Sequence, residues 1–572
     1  GNSSGGVVQI FTQDGPDDPV LSGGVSFGSY GTHRESVTYG GDFDDFNIVV
    51  NANTVRSDGY RDHSYFRRDT YHAKIKLKLN EDTKLTVVAT SLDQPDNDDP
   101  QGLDRDDYRA DRKQINSGTK TFNTRVSKSQ THIGATLDHQ LTENDSLRFM
   151  AYYGQRDNEQ FQSIPVGTQR TFFNFEQSGG GVQTIEREFG GIDLRWTHNG
   201  DLAGKPYNFT IGANVDRMSD DRKGYENFVG GINNGDDCNV NGRVCGVKGA
   251  LRRDEMNRLR AFDQYAQGSI DLTPRWNLSA GIRHSKVKFE TDDHYIVGAN
   301  LDDSGSVTYS ETTPVVGVIF KATDTLNFYV NAGESFETPT FVEAAYKDTT
   351  AGAGLNTDLK AATSKQYEVG AKWMAGSSTL INAALFKIDT DDEIVVQSAS
   401  GGRTVYTNAK ESERKGFELS IDSRLTHSLS AYLAYTYLDA EFTKDFVTGN
   451  TNDLVRSGTD IPGVYKHTLY GELAWKHDPS GFSTALEARA FSDTYVSFDP
   501  QDGHASGYAI ASWRAGFNQN VGPWRLNEFV RVENLFDKEY VGSIRVGDTN
   551  GAYYEAAPTR NWLLGLNAGY VF

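Results

Sequence analysis

"NWLLGLNAGYVF", Asn561 to Phe572, ends the chain. Trp562, Leu564, Leu566, Ala568, Tyr570 and Phe572 take every second position and all are apolar. In a strand, whose side chains point alternately to opposite sides, these six share one face. A terminal Phe beside a free carboxyl gives no hint of what covers that face. The cover is either folded protein or lipid, and the rest of the sequence bears on the choice.

The same alternation recurs along the chain. In "TYHAKIKLKLN", Tyr71, Ala73, Ile75, Leu77 and Leu79 alternate with Thr70, His72, Lys74, Lys76 and Lys78. "YNFTIGANVD" sets Tyr207, Phe209, Ile211, Ala213 and Val215 on one side, and "LSAYLAYTY" does so with Leu429, Ala431, Leu433, Tyr435 and Tyr437. Between the runs lie short turns such as "NEDTK", "TENDS" and "KATDT", and long polar stretches such as "DQPDNDDPQGLDRDDYRADRKQINSGTKTFN". Short turns at one end of each hairpin and long loops at the other are how outer-membrane barrels are built. Alternation alone does not separate a barrel lumen from bulk solvent, so a soluble all-β protein stays open on this evidence.

Composition narrows the field. The 572 residues could make three or four soluble domains or one large barrel. Apolar residues are 37% and aromatics 12%, with 28 Tyr, 31 Phe and 58 Gly, and mean hydropathy is -0.58. No stretch approaches the roughly 18 apolar residues of a membrane helix. The net charge of -21 argues against a nucleic-acid partner, which needs a concentrated basic face. Cys238 and Cys245, in "DDCNVNGRVC", read best as a small-loop disulfide in an oxidising compartment, against two free thiols or, less well supported, part of a zinc site.

Five stretches resemble, in order, the TonB-dependent outer-membrane receptors. "GNSSGGVVQIFT" is similar to the end of that family's plug domain. "GESFETPTFVEA" (333–344), "LNTDLKAATSKQYEVGAKW" (355–373), "VYTNAKESERKGFEL" (405–419) and "VENLFDKEYVGS" (532–543) are similar to segments of its barrel. The terminal "GYVF" resembles the aromatic-ended assembly signal, with Tyr570 and Phe572 as its aromatic residues. The resemblance implies an all-β protein, a 22-stranded antiparallel transmembrane β-barrel in the outer membrane of a Gram-negative bacterium. Residues 1–14 are then expected to be a remnant of the plug's end and residues 15–572 the barrel with long extracellular loops. The N-terminal plug domain, with its TonB-contact segment, is expected to be missing from this chain.

The function so implied is capture of a scarce small molecule outside and its import to the periplasm, driven by TonB. Implied partners are that substrate, the TonB complex through the missing N-terminal part, outer-membrane lipid and lipopolysaccharide, and the barrel assembly machinery. A monomer without cofactor is expected. A passive porin-like channel and a phage docking site are rival roles. "EQFQSIPVG", "MSDDRKGYENF", "KGALRRDEMN", "DTDDEIVVQSASGGRTVYTNA" and "DKEYVGSIRVGDTNGAYYEAAPTRNW" resemble one subgroup, whose implied cargo is pyrroloquinoline quinone. A ferric-siderophore receptor of the same fold is the alternative.

A flat tricarboxylate calls for guanidinium groups that grip carboxylates in pairs and for a stacking ring. Arg217, Arg222, Lys223, Tyr225, Arg252 and Arg253 flank the cysteine loop and form the first candidate rim. Arg403 with Tyr406, and Arg545, Tyr553, Tyr554 and Arg560, form the others. Against the first stands the plainer reading of solvated loop charge paired with Asp220, Asp221 and Asp254, and against the others that of aromatics forming an interfacial girdle. Asp93, Asp96, Asp98 and Asp99 lack the spacing of a calcium loop and read as a flexible acidic loop. The row Lys74, Lys76 and Lys78 is expected to pair with acidic plug residues or to guide an anion. No nucleophile elbow, H-E-x-x-H pair or His/Cys cluster points to catalysis, so no catalytic or metal residue is expected.

Overall fold

A computed structural model describes residues 8–172, 178–231, 238, 242–298, 300–347, 355–400, 403–448, 453–548 and 550–572, with side chains at 171–172, 398–400 and 403 outside that description. Twenty-two strands make one antiparallel sheet, and the sheet closes on itself. The first strand, Val20–Gly28, pairs with the last, Asn561–Val571, from Val20 opposite Val571 to Gly28 opposite Leu563. Closure has a physical cause: lipid offers backbone groups no hydrogen bonds, and only a barrel leaves no unpaired edge.

The strands pair as successive hairpins, and their connections differ at the two ends. At one end, turns of a few residues such as Asp44-Asp45 and Pro274-Arg275 join them, and Phe572 lies at the same end. At the other lie long segments, including 99–124, 226–250 and 534–560. Short turns face the periplasm and long loops the exterior in this architecture.

The opening question is settled by exposure. Trp562, Leu564, Leu566, Tyr570 and Phe572 stand exposed on the outer wall, Leu564 at 52% and Phe572 at 69%. Tyr71, Ile133, Ile192, Ile211, Val330 and Leu385 continue that apolar band around the barrel. At its periplasmic margin rings meet across strands, Trp276 with Phe320 (centroids 4.6 Å apart) and Trp524 with Tyr570 (5.2 Å), and along one strand end, Tyr570 with Phe572 (5.2 Å). Amphipathic rings gather where hydrocarbon meets water, which is the level these occupy.

The inner face is polar and networked. Tyr152 donates to Asp216 (2.6 Å), Asn214 donates to Asp216 (2.8 Å) and Asp263 (3.0 Å), and Arg283 donates to Asp263 (2.5 Å). Arg531 grips Glu487 through two guanidinium nitrogens, at 3.0 and 2.7 Å. Inward rings also lie over opposed glycines. A Cβ on Gly212 would sit 2.4 Å from the Tyr265 ring, and one on Gly565 2.3 Å from Phe529, so only glycine admits these rings. Larger buried apolar clusters lie at the loop end, for example Phe442 with Phe446, Val395, Ala409 and Val455.

Two expectations change here. The strand Thr83–Asp98 runs on through most of the acidic stretch read as loop, because Gln94 and Asn97 pair with Lys128 and Val126 around a bulge that puts Asp96 at φ 46°. The reading of a barrel left without its plug is also corrected. The residues just before Val20 are tied into the wall. Gly15 N–H donates to Asn47 (2.8 Å), the Asn47 amide returns a bond to Gly15 O (2.8 Å), and Lys74 pairs with Asp14 at 2.6 Å. Lys76 holds the same carboxylate, so two cations of the lysine row meet one acid.

Candidate functional site

The mouth of the barrel is built where the described parts of segments 162–181 and 226–250 fold over strands Pro206–Tyr225 and Leu251–Thr273. Gly180, at φ +79°, lets the first segment return against the strand end: a Cβ there would lie 2.1 Å from Tyr225 O. Gly181 N–H then donates to that carbonyl (2.8 Å). Asn227, fully buried, locks the two segments together. Its Oδ1 accepts from Gln169 (2.8 Å) and its amide donates to Gln162 O (2.8 Å). Phe228 is buried between the guanidinium groups of Arg170 and Arg243, 4.8 and 5.5 Å from its ring centre. A disulfide joins Cys238 and Cys245, with Cα atoms 5.8 Å apart, and packs on the cluster of Phe122, Val166 and Phe228.

The structure divides the first candidate rim between two faces. Arg222, Arg252 and Arg253 come together inside, all buried. Arg252 donates to Glu226 at 2.5 Å; Arg253 pairs with Glu255 at 3.0 Å and lies 4.7 Å over the Tyr346 ring; Arg222 reaches Glu255 at 3.7 Å. A bulge between Leu251 and Arg253 turns both arginines of "LRRDE" inward. Arg217, Lys223 and Tyr225 stand on the opposite, outer face, because odd and even residues of one strand part company. Lys223 pairs there with Asp221 (2.6 Å), and Lys248 lies 5.1 Å over the Tyr225 ring.

A second group of loops brings Arg545 and Tyr553 together, but not Arg560. The backbones of Leu103 and Tyr554 exchange hydrogen bonds of 2.9 and 3.0 Å. Arg545 spans Glu555 (3.0 Å) and Asp99 (3.7 Å), and buried Arg61 donates to the carbonyls of Gln101 and Gln114 beside them. Burial works to raise the Glu555 carboxyl, and the Ser543 hydroxyl with the Arg545 guanidinium outweighs it, leaving Glu555 below the usual range. Burial and the Asp502 carboxylate push the Tyr553 phenol up. Arg560 is exposed and donates to Leu535 O at 3.0 Å. The Arg403 side chain lies outside the described residues. The four aspartates of the acidic stretch turn to separate partners: Asp98 to His63 (3.7 Å), Asp99 to Arg545, Asp96 to Arg125 (3.6 Å), while Asp93 stands opposite Asp69.

Sequence reasoning missed Glu226, Glu255, Tyr346 and Arg61. Glu226 lay inside the quoted "GYENF", and a buried carboxylate two residues from the buried Phe228 ring is a signal that only packing exposes. Below the mouth, toward the turn end, the lumen widens into a cavity of about 890 Å³ lined by Asp422, Arg424, His427, Lys476, Arg514 and Arg531 among others. Such a path, polar walls beneath a packed and guanidinium-rich mouth, suits binding and passage of a polar solute.

Residues 70–535 match the family described as TonB dependent receptor-like, beta-barrel, and the chain belongs to that family. It is an outer-membrane protein of the Gram-negative type. Among curated relatives, the probable TonB-dependent siderophore receptor PiuA of Acinetobacter baumannii is 23% identical, over 94% of this chain and 76% of its own. The metal-pseudopaline receptor CntO of Pseudomonas aeruginosa is 22% identical, over 99% and 77%. Among solved folds, the siderophore receptor PiuA superposes with a TM-score of 0.79 at 19% identity, covering 98% of this chain and 82% of that one. Unliganded ferric citrate transporter FecA gives 0.75 at 18%, covering 98% and 80%. Alignment over nearly this whole chain with intact receptor folds leaves the expected missing plug without support.

Proposed function

We propose that this receptor captures an anionic, chelating small molecule at its loop end and passes it to the periplasm when TonB acts on it. The observation that carries the reading is the packed mouth, where guanidinium groups crowd around few carboxylates above a polar lumen. Pyrroloquinoline quinone is the particular cargo we favour, on the loop motifs quoted above: a flat ring could stack beside Tyr553 while Arg545 meets a carboxylate. A ferric siderophore is the second reading, favoured by the printed functions of PiuA and CntO. We assign residues 1–14 to the closing segment of a plug and 15–572 to the barrel. Partners in this reading are TonB, the assembly machinery through Tyr570 and Phe572, and lipopolysaccharide, with the protein acting as a monomer.

Equilibrium binding by the purified protein, run in parallel with the quinone and with ferric siderophores, tests the cargo. Saturable binding of the quinone that weakens at least tenfold in Arg545→Gln is expected. Tight siderophore binding with none of the quinone would overturn the cargo and keep the class. A steady open conductance in planar bilayers would overturn the class in favour of a passive pore.

A further inference from the structure

Above the apolar band the wall parts between two of its strands. The strand Gly305–Lys321 pairs without a break along Trp276–Asp293, from Gly305 opposite Thr291 to Phe320 opposite Trp276. Its pairing with Leu326–Glu337 on the other side stops at Val315 opposite Gly333, although both strands run on. Pro314 has no N–H to give its neighbour, and the ladder ends where it stands. Thr312 marks the side left open: its N–H donates to the Glu311 carboxylate at 3.0 Å and not to a strand. Backbone groups point alternately to the two sides of a strand, so the N–H and C=O groups of Ser306, Thr308 and Ser310 point the same way as those of Thr312. No backbone hydrogen bond meets them on that side among the described residues.

This edge stands outside the membrane. The outward positions Phe320, Val318, Val316 and Pro314 belong to the apolar band, while Thr312, Ser310, Thr308 and Ser306 above them carry hydroxyls and are exposed. The departing strand packs inward: its Phe336 is buried with Phe289, Tyr309 and Phe341, and the Tyr309 hydroxyl donates to Leu359 O at 2.7 Å. Proteins blunt an open edge with lysine, a bulge or an inward charge. Here the register is unbroken, no lysine stands on residues 306–312, and the inward charge of Glu311 occupies the Thr312 N–H alone.

Lipid offers peptide groups no hydrogen bonds, and a second copy in the same membrane has the wrong geometry. A two-fold along the membrane normal would cross the two strands at about twice their tilt of roughly 40°, too steep for a ladder. An extended segment of another polypeptide fits, because its own N–H and C=O groups repeat at the spacing of this edge. Its inward side chains would meet Val307 and then Glu311, which is in no ion pair with a described residue. Its outward ones would lie beside the hydroxyl row. Ile296, Val297 and Leu301, exposed at the adjoining hairpin tip, extend the apolar contact. We propose that residues 306–312 take a strand from a polypeptide outside the cell by backbone pairing, a strand apolar and basic on its inward side and polar on its outward side. The inference goes beyond transport, rests on the outer-membrane placement, and is independent of which cargo is carried.

Fluorescence anisotropy with the detergent-purified full chain tests it. The probe is a labelled seven-residue peptide of alternating threonine and valine with lysine in place of the last valine. Comparators are the same peptide with glutamate for lysine and the same peptide N-methylated throughout its backbone. Saturable binding of the lysine peptide is expected, several-fold weaker for the glutamate peptide and lost for the N-methylated one. Thr308→Pro removes an edge N–H that no strand uses and should weaken binding roughly tenfold, because a peptide carbonyl is left unpaired. Glu311→Gln should weaken it several-fold. No saturable binding, equal binding of either comparator, or unchanged binding by Thr308→Pro would each overturn it. Heat-modifiable migration on gels reports folding of the variants; if Thr308→Pro fails to fold, the N-methylated peptide on the unaltered chain gives the reading. Cargo binding unchanged in these variants would separate failure here from failure of the receptor reading.

Discussion

The same two strands, Pro206–Tyr225 and Leu251–Thr273, carry two groups of arginines that live under opposite rules. Inside the mouth, Arg222, Arg252 and Arg253 are buried and meet Glu226 and Glu255. Outside, a few residues away, Arg217 and Arg260 face each other with no carboxylate to separate them. A charge removed from water is tolerable only with a partner, whereas a charge at a lipid surface can leave that partner to the membrane. One strand thus serves two solvents, and a step of one residue selects which.

The sharpest way to break this contrast is to orphan an inner arginine. Glu226→Gln leaves Arg252 buried without its carboxylate and should cost about 3–5 kcal/mol, read as a lowered melting temperature in detergent. An unchanged melt would mean the inner group is solvated like the outer one. Next, charge placed on the apolar band itself should be costly: Leu566→Arg is expected to destabilise by about 2–4 kcal/mol in bilayers if that position is near the midplane. The outer row predicts the reverse sign. In lipid-free detergent Arg217→Gln should leave stability unchanged or raise it by up to about 1 kcal/mol, since it relieves like-charge repulsion. A loss of stability there would show that Arg217 has a protein partner.

The smallest effect concerns Asp14, whose carboxyl is held below the usual aspartate range by hydrogen bonds from Lys74 and Lys76. Because the folded value lies below the unfolded one, the tether contributes fully above ordinary aspartate pKa and is lost only as pH falls through the depressed value. A spin label at position 12 should stay immobilised at pH 5 and loosen in stronger acid. Loosening between pH 7 and 5 would assign the tether to another group.

Much of the wall was legible because its signal is local. Period two in "YNFTIGANVD" or at Trp562–Phe572 needs no knowledge of neighbours, and the large outer side chains Phe209, Ile211, Val215, Trp562, Leu564, Leu566, Tyr570 and Phe572 proved exposed. The strand count was supplied by family resemblance and not by alternation. The site was less legible for the same reason in reverse. Arg217 and Arg222 are five residues apart in sequence and on opposite sides of the sheet, a separation that parity could have revealed. The bulge that turns both Arg252 and Arg253 inward, and Tyr346 arriving from a remote loop, leave no trace in local pattern. The acidic stretch misled because Asp and Asn disfavour strands, yet pairing with Lys128 and Val126 overrode that preference.

The central claim is that hydrocarbon shields one face of these strands and water the other. Nitroxide labels placed singly along 563–568 in reconstituted bilayers, read for collision with oxygen and with a water-soluble nickel complex, test it directly. With Gly565 left unlabelled because the Phe529 ring fills its place, positions 564, 566 and 568 should favour oxygen and 563 and 567 nickel. Labels that all respond to nickel, or even-numbered ones shielded from both reagents, would contradict it.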